Sequence, residues 1–277
     1  MNEKIHVMNT ALPVTLRCNL KCKHCLEFSP FYNDLEDYSL SEICKSIDAY
    51  FTLVDSVDNF TIAGGEVLLH KDVKAIVCKV AEYANRIKKI IFTTNGTILM
   101  SDELIEILKQ IKTIEVNISD YGLGLSEKVS ELRDLLSDKG IPLRVFKYHG
   151  DDMHYGGWID FTDHRLRRRT EEELLDIGAR CGNRKGGNFI IMPGELYVCF
   201  RVIRRVNLGV IPKDELSFID MYSNKSIQEK REHIRRILNA SYTPACAYCV
   251  GKLSEVEHCQ PAIQLTEEEL ELGIETL

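Results

Sequence analysis

The chain has 277 residues with 44% hydrophobic content, enough for one large domain with an appendage and enough to build a core, which excludes an intrinsically disordered protein. Its 35 Lys and Arg against 42 Asp and Glu leave a net charge of −7, so no global basic face is offered to nucleic acid. The start, Met1-Asn2-Glu3-Lys4-Ile5-His6, has no apolar signal core, and no stretch approaches the ~18 uncharged apolar residues of a membrane span. The expected location is cytoplasmic, with neither membrane nor nucleic acid as a partner.

From residue 12 onward short apolar runs alternate with helical patterns, the signature of an α/β fold. Strands are predicted at 12–16, 60–63, 89–93, 113–118 and 143–147, spaced so that a helix fits between each pair, which requires parallel pairing and right-handed crossovers. The first helix starts at Ser39, whose capping box reaches Glu42, and carries Leu40, Ile43, Cys44, Ile47, Phe51 and Val54 on one face. Val73, Ile76, Val77, Val80 and Ala84 mark a second helix, and Leu104, Ile107, Leu108 and Ile111 a third. Val129, Leu132 and Leu136 mark a fourth that ends at Gly140. Cys44 belongs to one apolar face and Cys78 lies beside another, so both are expected in the core. Five strands and four helices make a partial (β/α) TIM-like barrel or an open doubly wound sheet, and in either the chemistry sits at the C-terminal ends of the strands.

After about residue 148 the pattern changes. A polar stretch with Gly150, Gly156 and Gly157 leads to the basic run 164–169, and then two apolar runs, 189–192 and 196–200, flank Pro193-Gly194 as a β-hairpin. A helical segment over 226–238 and the run Cys246-Ala247-Tyr248-Cys249 close this region. The expected division is 1–180 for the barrel, 181–262 for a small hairpin-plus-helix subdomain, and 263–277 for an acidic tail. The tail's Thr266 to Glu269 capping box predicts a short surface helix.

Ten cysteines in 277 residues fall well short of the ~8–10% density of a disulfide scaffold. In a reducing compartment, clustered thiols point instead to metal or redox chemistry. Cys18-Asn19-Leu20-Lys21-Cys22-Lys23-His24-Cys25 directly follows the first strand. On an irregular loop a Cys-x3-Cys-x2-Cys run can turn three thiolates to one center, which a strand with alternating faces cannot. Three thiolates hold three irons of a [4Fe–4S] cube and leave the fourth open, whereas an electron-transfer cluster needs four ligands. A zinc site wants a fourth Cys or His nearby, and His24 lies between the cysteines rather than beyond them.

This run resembles the signature of the radical S-adenosylmethionine (radical SAM) superfamily, and Gly64-Gly65-Glu66 after the second strand resembles that family's Gly-Gly-Glu element. The resemblance covers roughly residues 8–148. It implies that S-adenosylmethionine binds the open iron, with the Gly-Gly-Glu element at its amino group and His24 near its adenine. By the same resemblance, Asn95 in Thr94-Asn95-Gly96-Thr97 and Ser119 at the end of the fourth strand contact the cofactor. It further implies a 5′-deoxyadenosyl radical that takes a substrate hydrogen, fed by a flavodoxin- or ferredoxin-type reductant. Cys181, Cys199, Cys246 and Cys249 resemble the twitch subdomain, the shortened form of the SPASM extension, which implies a second, fully ligated [4Fe–4S] cluster. A four-cysteine zinc ribbon is the alternative.

A second cluster can accept an electron from the substrate, which favors oxidation of a secondary alcohol of a sugar or aminocyclitol to a ketone, as in the family's short twitch-bearing dehydrogenases. The alternatives are an epimerase in which Cys259 returns a hydrogen atom, and a non-enzymatic iron–sulfur or zinc redox sensor. The small-molecule substrate is expected between the cluster regions, lined by 144–205. That window holds twelve Lys or Arg and nine Asp or Glu, which suits an anionic sugar or nucleotide-sugar. Arg168 and Arg169 also precede Glu172 and Glu173 by four residues, the spacing of a solvated helix face. Candidates for the group that takes the hydroxyl proton are Tyr148, His149, His154 and Arg165, and Trp158 is expected to anchor the loop to the barrel.

Overall fold

A computed structural model describes residues 4–32, 37–251 and 256–277, so a few positions of the expected 181–262 region, 252–255, lie outside the described residues. Five strands run parallel: β1 (His6–Pro13), β2 (Ser56–Ala63), β3 (Ile87–Thr94), β4 (Ile114–Asp120) and β5 (Leu143–Lys147). Between them lie α1 (Leu40–Leu53), α2 (Val73–Ala81), α3 (Asp102–Gln110) and α4 (Val129–Asp138). The register aligns Leu12 with Ile62, Ile62 with Phe92, and Phe92 with Val116, so one buried layer crosses four strands and their C-terminal ends finish level.

The first strand is displaced from its expected place. It ends at Pro13 instead of beginning at residue 12, because proline offers no amide to the ladder and the chain then peels away toward the end of β2. The signal for the true strand is weak, since polar Asn9 and Thr10 interrupt the apolar positions Ile5, Val7 and Leu12. The α1 capping box is present, with Ser39 Oγ accepting from Glu42 N at 3.2 Å, and Ile43, Ile47, Tyr50 and Phe51 pack onto the sheet. The expectation of two core thiols needs correcting: Cys78 is exposed and Cys44 only partly buried. On α2 the buried stripe is Val73, Ile76, Val77 and Val80, and position 78 turns off it by helical periodicity.

After β5 come α5 (Glu171–Arg180) and α6 (Gly182–Lys185), then β6 (Asn188–Met192), β7 (Glu195–Tyr197), α7 (Phe200–Asn207), β8 (Phe218–Asp220), α8 (Ile227–Asn239) and α9 (Glu267–Leu272). The hairpin forms, with Ile191 opposite Leu196. Its first strand also pairs parallel with β1, Thr10 against Phe189, giving a single open eight-stranded sheet in the order β5-β4-β3-β2-β1-β6-β7-β8. The fold is thus a partial, unclosed (β/α) barrel, and the hairpin extends the barrel's own sheet past residue 180. Among the described residues no helix is long and apolar enough to cross a membrane.

Candidate active site

Beyond Pro13 the chain forms the cysteine loop, held by the end of β2. Gly65 N donates to Thr15 O and Glu66 N to Arg17 O, both at 2.9 Å. Side chains are excluded here: a Cβ on Gly65 would lie 2.1 Å from Arg17 O and 2.9 Å from Cys18 Cβ, and one on Gly64 would lie 2.4 Å from Thr15 O. The glycines therefore let two backbones meet directly beneath Cys18. Glu66 is fully buried and accepts from Leu68 N, Thr94 Oγ1 and Asn95 N at 3.0, 2.9 and 2.7 Å. Burial raises its pKa against the pull of those three donors. Its carboxylate ties the end of β2 to the end of β3 and stands behind the glycines, while Asn95 Nδ2 donates to Asn19 Oδ1 at 2.9 Å in the cysteine loop.

A second brace comes from far along the chain. Gln264 Oε1 accepts from Lys21 N at 2.6 Å and its Nε2 lies 3.3 Å from Cys22 Sγ, while Lys23 N and Leu265 N complete a short backbone pairing with Ile263 and Lys21. Lys23 Nζ pairs with Glu269 on α9 at 2.8 Å. The expected surface helix is there, and the extended segment before it clasps the cysteine loop.

These elements enclose a cavity of about 680 Å³. One wall is Cys18, Cys22, His24, Cys25 and Glu27; a second is Gly64, Gly65, Thr93, Thr94, Asn95 and Ser119 at the ends of β2, β3 and β4; the third is Tyr121, Tyr148, Tyr155, Trp158 and Phe161. Trp158 meets Tyr121 edge-on at 5.6 Å and Tyr148 at 5.7 Å, and the two tyrosines stack at 5.6 Å. Burial pushes the Cys22 thiol up to about 11 and the Cys25 thiol to about 12, and raises Cys18 as well. Among the described residues no three such donors converge where a single ion would sit. A cube asks for something else, because each thiolate holds its own iron and the three need only face one space. Cys18, Cys22 and Cys25 meet that requirement.

The remaining predicted residues divide. Tyr148 lines the cavity. His149 does not: its Nε2 lies 3.3 Å from Asp120 Oδ2 and its side chain is 39% exposed. His154 packs behind the aromatic wall, 3.9 Å from the Tyr155 ring and 4.8 Å from Phe146. Arg165 points outward and pairs with Asp163 at 2.9 Å. Cys259 pairs through its backbone with Trp158 and is not part of the lining. Within 144–205 the only cation lining the cavity is Arg201; Arg144 pairs with Glu115, Arg167 with Asp163, and Arg169 donates to Cys246 O. The expected anion-binding wall is therefore not built from the basic run.

Cys181, Cys199, Cys246 and Cys249 line one small second cavity. Cys181 joins α5 to α6, Cys199 caps α7, Cys246 sits on the 3-10 turn Pro244–Tyr248 and Cys249 caps that turn. Arg205 on α7, 1% exposed, holds that turn by donating to Tyr248 O at 2.7 Å. Burial would raise the Cys199 thiol, but the charge and hydrogen bonds of Arg201, together with the charge of Arg205, leave the pKa below its ordinary value. Sequence reading missed Glu27, Tyr121, Arg201 and Gln264. Glu27 has a readable signal, an acid inside Leu26-Glu27-Phe28: its Oε2 has no hydrogen-bond partner among the described residues and burial pushes its pKa to about 8. Gln264 has none, since its contact spans 242 residues.

A partial barrel that presents three thiols on the loop after β1, opposite a Gly-Gly strand end, has the arrangement of an iron–sulfur enzyme. The profile of the radical SAM superfamily matches residues 12–121, so this segment is a radical SAM domain, which implies a [4Fe–4S] cluster and S-adenosylmethionine. Among curated proteins, the subtilosin biosynthesis protein AlbA of Bacillus subtilis (strain 168) is 34% identical over 165 residues, 52% of this chain and 34% of that protein. The GTP 3′,8-cyclase of Campylobacter lari is 26% identical over 171 residues, 60% of this chain and 49% of the cyclase. The match thus spans half or less of these relatives. Among solved structures, BtrN in complex with AdoMet and 2-DOIA superposes with a TM-score of 0.51 at 15% identity, covering 89% of this chain and 85% of that one, a likeness of fold.

Proposed function

We propose that this radical SAM enzyme oxidizes a secondary alcohol of a sugar or aminocyclitol to a ketone, using two [4Fe–4S] clusters. The observation that carries the reading is the junction of the two cysteine sites: Asn183 and Arg201 line both the large cavity and the four-cysteine cavity, so a substrate in the first lies beside the second. Cys18, Cys22 and Cys25 would hold the first cluster and Cys181, Cys199, Cys246 and Cys249 the second. When bound, the first cluster with S-adenosylmethionine supplies the 5′-deoxyadenosyl radical that takes a substrate hydrogen.

The chain's own residues orient and seclude. Gly64, Gly65, Asn95 and Ser119 offer the cofactor the strand-end wall, and His24, 8% exposed, stands across from it. Trp158, Tyr121 and Tyr148 give the C–H face of a sugar or cyclitol ring an aromatic surface that keeps water away. Glu27, which its raised pKa keeps largely protonated near neutrality, presents a carboxyl group to a hydroxyl or amino group of the ligand. Of the predicted proton acceptors, Tyr148 lines the cavity. A neutral or amino-substituted ring suits this lining better than an anionic sugar. Cys259 lies outside the lining, which leaves the epimerase reading without its donor.

The test is anaerobic reconstitution followed by incubation with dithionite, S-adenosylmethionine and a panel of aminocyclitols and sugars. The reading predicts about eight irons per chain and a product two mass units lighter, formed one-to-one with 5′-deoxyadenosine. A product of unchanged mass, or four irons with zinc, contradicts it.

A further inference from the structure

Arg201 is the charged side chain that lines both cavities. It is the second residue of α7, whose cap is Cys199, and side chains in the first turn of a helix lean back toward its N-terminus. The guanidinium accordingly returns over its own cap: Nε lies 3.4 Å from Cys199 Sγ, and Nη1 lies 3.1 Å from Cys249 Sγ and 3.5 Å from Gly251 O. Its flat face rests on the Phe161 ring, 4.4 Å from centroid to Cζ, and Phe161 belongs to the wall of the large cavity. One planar cation thus touches two of the four thiols along its edge and the substrate cavity's wall on its face. Lysine, with a single compact charge, cannot make all of these contacts.

Neighboring arginines on α7 have other work. Arg204 pairs with Glu275, and Arg205, though it also lines the four-cysteine cavity, gives its N–H donors to carbonyls of the 3-10 turn, whereas Arg201 directs its donors at the thiols themselves. Hydrogen bonds to cluster sulfurs and nearby positive charge both stabilize the reduced state and raise a cluster's reduction potential.

We infer that Arg201 is a positioning residue that makes the second cluster an electron acceptor, by holding a fixed positive charge and N–H donors against Cys199 and Cys249 on the side that faces the substrate. The inference rests on the function proposed above. In that reaction the substrate carbon would give a hydrogen atom to the cofactor-derived radical, a cluster held by Cys181, Cys199, Cys246 and Cys249 would take up the remaining electron, and the hydroxyl proton would leave to solvent as the carbon–oxygen double bond closes. Without the charge, the second electron transfer is the step that slows.

The test is a potentiometric EPR titration of reconstituted wild type, Arg201→Gln and Arg201→Lys, with iron content measured on each. With eight irons retained, Arg201→Gln is expected to shift the second cluster to a more negative potential while the first stays in place, Arg201→Lys to shift it less, and 5′-deoxyadenosine to exceed ketone in the Gln variant. Loss of four irons in Arg201→Gln but not in Arg201→Lys also supports a role for the charge. An unchanged potential at full iron content, or loss of iron in both variants, overturns the inference. Wild type with only four irons overturns the second cluster itself, and the inference with it.

Discussion

Replacing Gly65 by alanine tests whether the cysteine loop is positioned by direct backbone contact. The added methyl would lie 2.1 Å from Arg17 O, where ordinary contact begins at 3.4 Å, so the end of β2 and the cysteine loop must part by about 1.3 Å. Such overpacking costs about 1–3 kcal/mol, and the separation also weakens the Gly65 to Thr15 and Glu66 to Arg17 hydrogen bonds, worth about 1 kcal/mol each. The expected destabilization is about 2–4 kcal/mol, which for a chain of this size lowers Tm by roughly 5–12 °C. Because the same methyl would lie 2.9 Å from Cys18 Cβ, the displacement falls on the first of the three cysteines. Calorimetry of the metal-free protein reads the first effect, and iron content after reconstitution the second. Gly182→Ala is the control, since nothing lies within 4 Å of the methyl it would add and its stability should change by less than about 0.5 kcal/mol. If Gly65→Ala melts with the control and takes up full iron, the direct-contact reasoning is wrong.

Three further outcomes follow from the same structure. Glu275, 10% exposed at its side chain, pairs with Arg204 and with His164, and although burial alone would raise its pKa these partners leave it lowered. A carboxylate lowered on folding contributes stability above its unfolded pKa and loses it as pH falls through the folded value. Glu275→Gln should therefore cost about 3–5 kcal/mol near neutrality, with the gap from wild type closing in acid; chemical denaturation across pH reads this, and a constant gap refutes it. Trp158→Ala removes the ring that meets both Tyr121 and Tyr148, and should raise the substrate KM by at least about tenfold, a loss near 1.4 kcal/mol, while substrate-free S-adenosylmethionine cleavage persists; unchanged KM refutes the aromatic platform. Gln264→Ala removes an acceptor from Lys21 N and a donor from Cys22 Sγ, and should lower Tm and shift the first cluster's potential downward in an EPR titration, with an unshifted potential counting against the sulfur contact.

What could be read in the sequence was whatever is local. The Ser39 and Thr266 caps sit where their Ser/Thr-x-x-Glu spacing puts them, and β5 spans 143–147 as its apolar run does. The cysteine triplet and Gly64-Gly65 fall at adjacent strand ends because parallel strands in register must finish level. What could not be read depends on distant packing. The union of β6 with β1 joins residues nearly 180 apart, and it merges into one sheet what composition divides in two. The basic run reads either as an anion site or as a solvated face because charge alone does not reveal pairing, and Asp163 and a backbone carbonyl engage Arg165, Arg167 and Arg169. His149 and His154 have the right chemistry at the right place in the chain, but Asp120 and the aromatic wall hold them outside the cavity. Arg201 was visible only as one of many arginines until α7 turned it back over Cys199.

The central claim is that Cys18, Cys22 and Cys25 face a cube with one iron left for S-adenosylmethionine. The most direct measurement is EPR of the reduced, oxygen-free Cys246→Ala/Cys249→Ala protein, in which the first cluster is observed alone, before and after S-adenosylmethionine is added. The account predicts about four irons, a spectrum that changes on addition, and formation of 5′-deoxyadenosine. An unchanged spectrum, or no cubane signal at all, contradicts it.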